Sequence, residues 1–428
     1  MEMDPMELLY ACDEGDPEEV KKLLANPSVD PNYQDENGWT PIYLDCVHGY
    51  IEVVRLLLND KRVDVNLVNE EDETPLWACC YHGKTDIVKL LLQDERVDVN
   101  RSEKSGVSPL FAACSDDKIE IVKALLSDPR VDVNKSTKKN QSPFYFACQE
   151  GHLEVVKLLL NDKRVDINKR MDNGATPFYI ACECGQTEVV KLLLKDDRID
   201  INTANRNGSI PLHIACQQGY AEIVRLILSD QRVENINAEN KNGPTPFFLA
   251  CQDGHTEAVQ VLLNDERVEV NISLSDFTSP FWIACQEGHV GVVKLLLLDD
   301  RVSVNTVNKP GLSPFEISCE NGLTEVTKLL INSERINLHA ANRYGWTPFF
   351  AICHEGRFGV LEYVLASGRE IDLNAKNGDG KTAIEIARSR IKRGAVYGKI
   401  VKLLEEFQNN QIETRNKLRT KLGLGKFS

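Results

Sequence analysis

Thirteen cysteines and eight histidines are the residues of this 428-residue chain whose types best suit chemistry. Thiols can hold zinc, close disulfides or act as nucleophiles, and imidazoles can hold a metal or carry a proton. Their spacing supports none of these. Cys79 with Cys80, and Cys182 with Cys184, lack companion Cys or His pairs at zinc spacing. No His-Glu-x-x-His occurs, and His354-Glu355 stands alone. A nucleophile would need a base and an orienting group beside it, and the histidines are scattered. Gly378-Asp379-Gly380 reads as a hairpin turn and Gly423-Leu424-Gly425-Lys426 follows no strand, so neither reads as a phosphate-cradling loop. No catalytic residue, cofactor or metal is expected. What the cysteines show instead is a register. Cys12, Cys46, Cys80, Cys114, Cys148, Cys182, Cys216, Cys251, Cys285, Cys319 and Cys353 recur at nearly constant spacing, ten of them five residues after a proline.

Those prolines set the architecture. Pro41, Pro75, Pro109, Pro143, Pro177, Pro211, Pro246, Pro280, Pro314 and Pro348 are separated by 34 residues in eight gaps and by 35 in one. A period held this long means one supersecondary unit copied many times. In the copy from Ser142 to Leu160, Ser142 can cap a first helix and Pro143 fits its first turn. Gly151 marks a break that calls for positive φ. Leu153, Val156, Leu159 and Leu160 then recur at helical spacing. Asp172-Asn173-Gly174 predicts a turn before the next Thr176-Pro177. Neither helix is long enough to stand alone, so each must bury its apolar face on its neighbours.

The unit resembles the ankyrin repeat over roughly residues 5–408. Ile210-Pro211-Leu212-His213-Ile214-Ala215 matches that family's helix opening. Gly151-His152, Gly254-His255 and Gly288-His289 match its inter-helix pair, and Asp64-Val65-Asn66, Asp98-Val99-Asn100 and Asp132-Val133-Asn134 match its ending. The tetratricopeptide repeat shares the 34-residue period, but its proline closes the second helix, whereas here proline opens the first. The resemblance implies an all-α repeat solenoid of stacked helix-turn-helix units with β-hairpin loops. It makes the cysteine ladder a buried packing position, where the family carries a small alanine, and it sets successive cysteines beyond disulfide reach.

Three departures stand out. The unit has one extra residue, assigned to the Asp-Lys-Arg-Val loop. The glycine that normally ends the second helix is missing. The family's His two places after the proline survives only as His213; elsewhere Tyr43, Trp77, Phe111, Tyr145, Tyr179, Phe248, Trp282 and Phe350 stand there, and packing is expected to replace its hydrogen bonds. Asp117 takes the place of an inter-helix glycine and Asp72 that of a hairpin glycine.

About twelve units are expected: residues 1–38 as an N-terminal capping unit, 39–380 as ten repeats, 381–408 as a C-terminal capping unit and 409–428 as a basic tail. Met1 to Pro5 lacks the apolar run of a secretory signal, and no apolar run approaches a membrane span, so a cytoplasmic monomer is expected. The net charge of −15 argues against nucleic acid. Residues 381–428 nevertheless hold twelve Lys or Arg against four Glu. The expected function is a non-enzymatic scaffold that binds another protein on the concave face implied by the resemblance. The alternative is an adaptor that docks an anionic surface, lipid head groups or an acidic partner, through residues 388–428. Candidate partner-binding residues are the aromatic and His positions near the two ends, Trp39, His48, Tyr81, His82, Tyr344, Trp346 and His354. The middle offers Gln149, Glu150, Gln217, Gln218, Gln286 and Glu287.

Overall fold

A computed structural model describes residues 6–425. The chain divides into two compact units, Met1–Arg206 and Asn207–Ser428, each described by itself. The first is a succession of helix pairs beginning with Glu7–Asp13 and Pro17–Leu24 and ending with Pro177–Glu183 and Thr187–Leu193. The second begins with Pro211–Gln218 and Ala221–Ser229 and closes with Ala383–Ser389, Ala395–Asn409 and an added helix, Gln411–Lys421. Within each unit, first helices pack on first helices and second helices on second helices.

Local chemistry sets each pair. Ser142 Oγ accepts the Tyr145 backbone N–H, and Pro143 opens the helix without needing a donor. Gly151 ends that helix at φ 78°, left-handed backbone that glycine enters at no steric cost. The two aspartates in glycine places do adopt positive φ, 63° at Asp72 and 53° at Asp117. The core is the inner side of both helix layers. Cys46, Cys148 and Cys216 are fully buried, as are Val156, Leu159 and Leu296. Of the thirteen cysteines only Cys184 is exposed.

The hairpins are shorter than the resemblance implies. No strand forms among the described residues. The tips are instead held by a few bonds, and several are tied to a neighbouring tip. Asn69 N–H donates to Glu73 C=O, Asp72 N–H to Asn69 C=O, and Glu70 N–H to Asn37 C=O of the preceding hairpin.

The missing helix-ending glycine is replaced by an arginine clamp. Arg96 grips the Asp94 carboxylate through Nε and Nη2 at 3.0 and 2.7 Å, which fixes its guanidinium. Nη2 also donates to Leu58 C=O at 2.9 Å and Nη1 to Val63 C=O at 3.1 Å, both in the preceding repeat. Leu58 lies in the last turn of its helix, where carbonyls lack helical partners and carry partial negative charge. Arg62, Arg130, Arg164 and Arg198 treat Leu24, Leu92, Leu126 and Leu160 alike. In the second unit Arg267, Arg301 and Arg335 reach Leu228, Leu263 and Leu297. Where an aspartate stands two places earlier, the guanidinium holds its carboxyl below the usual range, as at Asp60, Asp94 and Asp299; Arg335 has Ser333 there and binds carbonyls.

The last helices reuse the device. Residues 409–428 read from the sequence as a basic tail beyond the packed array, yet Gln411–Lys421 docks on Phe358–Ala366. Leu418 is buried, Arg415 donates to Leu365 C=O at 3.3 Å, Arg419 donates to Ala366 C=O at 3.1 Å, and Lys421 pairs with Glu362. Three of the tail's cations therefore stabilise a neighbouring helix.

Candidate functional site

The first helices and hairpin tips of the second unit enclose a cleft of about 750 Å³. The tips contribute Pro310 and Leu312, then Arg343, Tyr344, Gly345 and Trp346, then Gly378 and Asp379. The helix Pro314–Asn321 contributes Glu316 and Glu320; Pro348–Glu355 contributes Ala351, His354 and Glu355. The tip between them is pinned by Asn342, whose Oδ1 accepts the backbone N–H groups of Tyr344 and Trp346. Asn342 Nδ2 donates to Glu316 Oε1 at 2.8 Å, so tip and helix form one piece.

Side chains in the cleft have distinct surroundings. Tyr344 stands 72% exposed at the tip. Trp346 lies half-buried, its ring 4.8 Å from His354 in an edge-on contact and 6.2 Å from Phe350. His354 Nδ1–H donates to Glu355 Oε1, and Nε2 accepts from the Arg390 guanidinium. Arg390 and Tyr397 also donate to His354 C=O at 3.1 Å each. Glu316 is 1% exposed, and its Oε2 has no hydrogen-bond partner among the described residues. Burial first, and the nearby Glu320 charge, push its carboxyl up to about 8 against the pulls of Asn342 and the Ser313 backbone N–H. Glu320 is raised too, by burial and then by Glu355.

The other candidates fall into separate groups. In the first unit Trp39 is 38% exposed and stacks on Tyr43 at 6.0 Å. Tyr81 stacks on Trp77 at 5.1 Å and meets His82 edge-on. His48 contacts Tyr50 and lies 3.7 Å from Asp13. Gln149 donates to Glu150 at 2.8 Å. In the second unit Gln217 and Gln218 are exposed, and Gln286 donates to Glu287 at 2.8 Å. The structure thus gathers Tyr344, Trp346 and His354 around one cleft and sets the rest elsewhere.

Several candidate chemical groups prove structural. His152 Nε2 bonds Ser115 C=O at 3.0 Å, and His255 and His289 bond Gln217 and Gln252 C=O, each joining one repeat to the one before. His213 bonds Ile210 N–H and Pro244 C=O, and burial pushes it down to about 4. Packing was expected to replace those His213-type bonds in the other units. Two tryptophans instead reproduce the long bond: Trp77 Nε1–H donates to Val107 C=O at 3.1 Å and Trp282 to Leu312 C=O at 2.9 Å. Tyr43 bonds Glu73 at 2.6 Å from the same place. Burial raises the ladder thiols, as at Cys148 and Cys216, which keeps them protonated and poor as nucleophiles. No group of three or more His, Cys, Asp or Glu is placed to hold a metal among the described residues.

The family profile for ankyrin repeats (three copies) matches residues 8–103, 95–171, 163–237, 232–308 and 281–377. The chain belongs to the ankyrin-repeat family. No curated protein matches it. Ankyrin repeats are in general protein–protein interaction modules, and no described helix is long and apolar enough to cross a membrane. Sequence reasoning missed Glu316 as an ankyrin-site residue, although the signal was present. Among the ten proline-opened helices, Glu316 is the one acid at a place otherwise held by aromatics or His213.

Proposed function

We propose that this ankyrin array is a non-enzymatic scaffold that captures another protein along its hairpin tips and first helices. The carrying observation is the cleft at residues 310–379, where an exposed tyrosine and a half-buried tryptophan meet polar groups at the mouth. Tyr and Trp supply large contact area with few rotatable bonds, and they are the residues most often found at the energetic centre of interfaces. Thirteen unbridged cysteines fit a reducing compartment, so the cytoplasm is the proposed location. Docking of an anionic surface by the basic end is the weaker reading, because Arg415, Arg419 and Lys421 already serve the fold.

The test is a titration of a captured partner against Tyr344→Ala and Trp346→Ala. Each should weaken binding by roughly 2 kcal/mol or more, while Lys157→Gln, in an exposed ion pair with Glu154 on a second helix, should not. Equal affinity for all variants would place the partner elsewhere.

A further inference from the structure

Most of the cleft's features suit any partner segment, but one does not. Glu316 Oε2 is buried at the cleft without a hydrogen-bond partner among the described residues; burial by itself favours the protonated carboxyl, and a polar group left unpaired there is costly. The other nine proline-opened first helices put aromatic or imidazole groups at this place; Ala383–Ser389 has Glu385 there, but exposed and bonded to Thr382. Glu320, Glu355 and Asp379 join Glu316 on the lining, with Arg343 as the one lining Arg or Lys. The Arg390 guanidinium is committed to His354, and Arg357 donates to Glu320 C=O at 2.7 Å. Burial first, and a neighbouring acid's charge after it, raise Glu316 and Glu320, while His354 and Arg357 pull Glu320 back down. Above them stand Trp346 and Tyr344, whose ring faces attract cations.

We infer that the cleft holds a cationic side chain, Lys or Arg, of the partner segment, with Glu316 giving up its proton to solvent, Oε2 accepting from the head group, and Trp346 and Tyr344 flanking the stem. This rests on the scaffold reading and names what that site selects. It takes a charged donor: an apolar side chain of equal length such as norleucine leaves Glu316 unpaired, and citrulline brings ureido N–H donors but no charge to offset a buried carboxylate, so both are disfavoured.

The probes are N-acetyl-arginine amide and N-acetyl-lysine amide, with the neutral N-acetyl-citrulline amide and N-acetyl-norleucine amide beside them. Each is titrated into the full chain carrying nitrogen-15 tryptophan, and the Trp346 indole resonance, assigned by Trp346→Phe, is followed. The cationic probes should give a saturable shift and the neutral ones should not. Glu316→Gln, close in shape and able to keep the Asn342 contact, should weaken the cationic probes about tenfold or more. Thermal melting verifies that this variant is folded. Glu355→Gln, at the rim, provides a second reading and should weaken them about threefold. Equal shifts from neutral and cationic probes, or unchanged binding by a folded Glu316→Gln, would overturn the inference. Either result leaves the scaffold reading standing, since that is tested by a protein partner and not by these probes.

Discussion

Asp45 stands where the equivalent helices carry the fully buried Ala147, Ala181, Ala215, Ala250 and Ala284. It is 0% exposed, and neither carboxyl oxygen has a hydrogen-bond partner among the described residues. Burial pushes its pKa from 3.8 up to about 8; the nearby Cys12 thiol, a weak donor, offsets little of this, and Asp13 adds to it. The folded state therefore keeps a proton that the unfolded chain releases above pH 4. Stability should fall as pH rises from about 4 to about 8 and level off beyond. At pH 7 the group sits ~3 pH units above its unfolded pKa, and at ~1.4 kcal/mol per unit the cost is about 4 kcal/mol. Local opening of the first helices limits how much of that cost is seen, because repeats unfold semi-independently. Asp45→Ala should thus stabilise the N-terminal end by on the order of 3 kcal/mol at pH 7 and by less at pH 5. The assay is hydrogen exchange of residues 8–57, corrected for intrinsic rate, with urea melting across the same pH range. Equal protection of wild type and Asp45→Ala at both pH values would refute the reasoning and mean that Asp45 is paired or solvated.

Removing the clamp should loosen a repeat junction. Arg96→Ala strips donors from Leu58 and Val63 carbonyls and a partner from Asp94, and should cost about 1–3 kcal/mol, read as faster exchange near residues 55–65. Truncation after residue 410 should lower the stability of Phe358–Ala366, because it removes Leu418 and the caps from Arg415 and Arg419; an unchanged melting curve would show that the terminal helix is dispensable. Cys148→Ala should be tolerated, while Cys148→Leu should overpack a fully buried position at about 1–3 kcal/mol, both checked by thermal melting.

The repeat, its two helices and the cysteine ladder were legible because proline, glycine and apolar residues act within their own turn of chain. Pro143, Ser142 and Gly151 do in the structure what their types dictate. Less local chemistry was not legible. The Asp-x-Arg spacing was visible at eight successive loops from Asp60 to Arg301, but that Arg96 would cross to Leu58 depends on how repeats stack. Trp77 could be read as a ring to be packed; that its N–H meets Val107 C=O depends on the next hairpin. The terminal helix was misread because the five cations of residues 409–428 suggested solvent, whereas Arg415 and Arg419 find bare carbonyls on Phe358–Ala366. Around the cleft, Tyr344, Trp346 and His354 were candidates by type, and Glu316 was passed over because its significance lies in what surrounds it.

The central claim is capture of a protein partner at the cleft of the second unit. Its most direct measurement is quantitative recovery of bound proteins by three full-length baits: wild type, Trp346→Ala and Glu154→Gln. The account predicts a partner recovered equally by wild type and Glu154→Gln and depleted on folded Trp346→Ala. The same protein recovered equally by all three would contradict it.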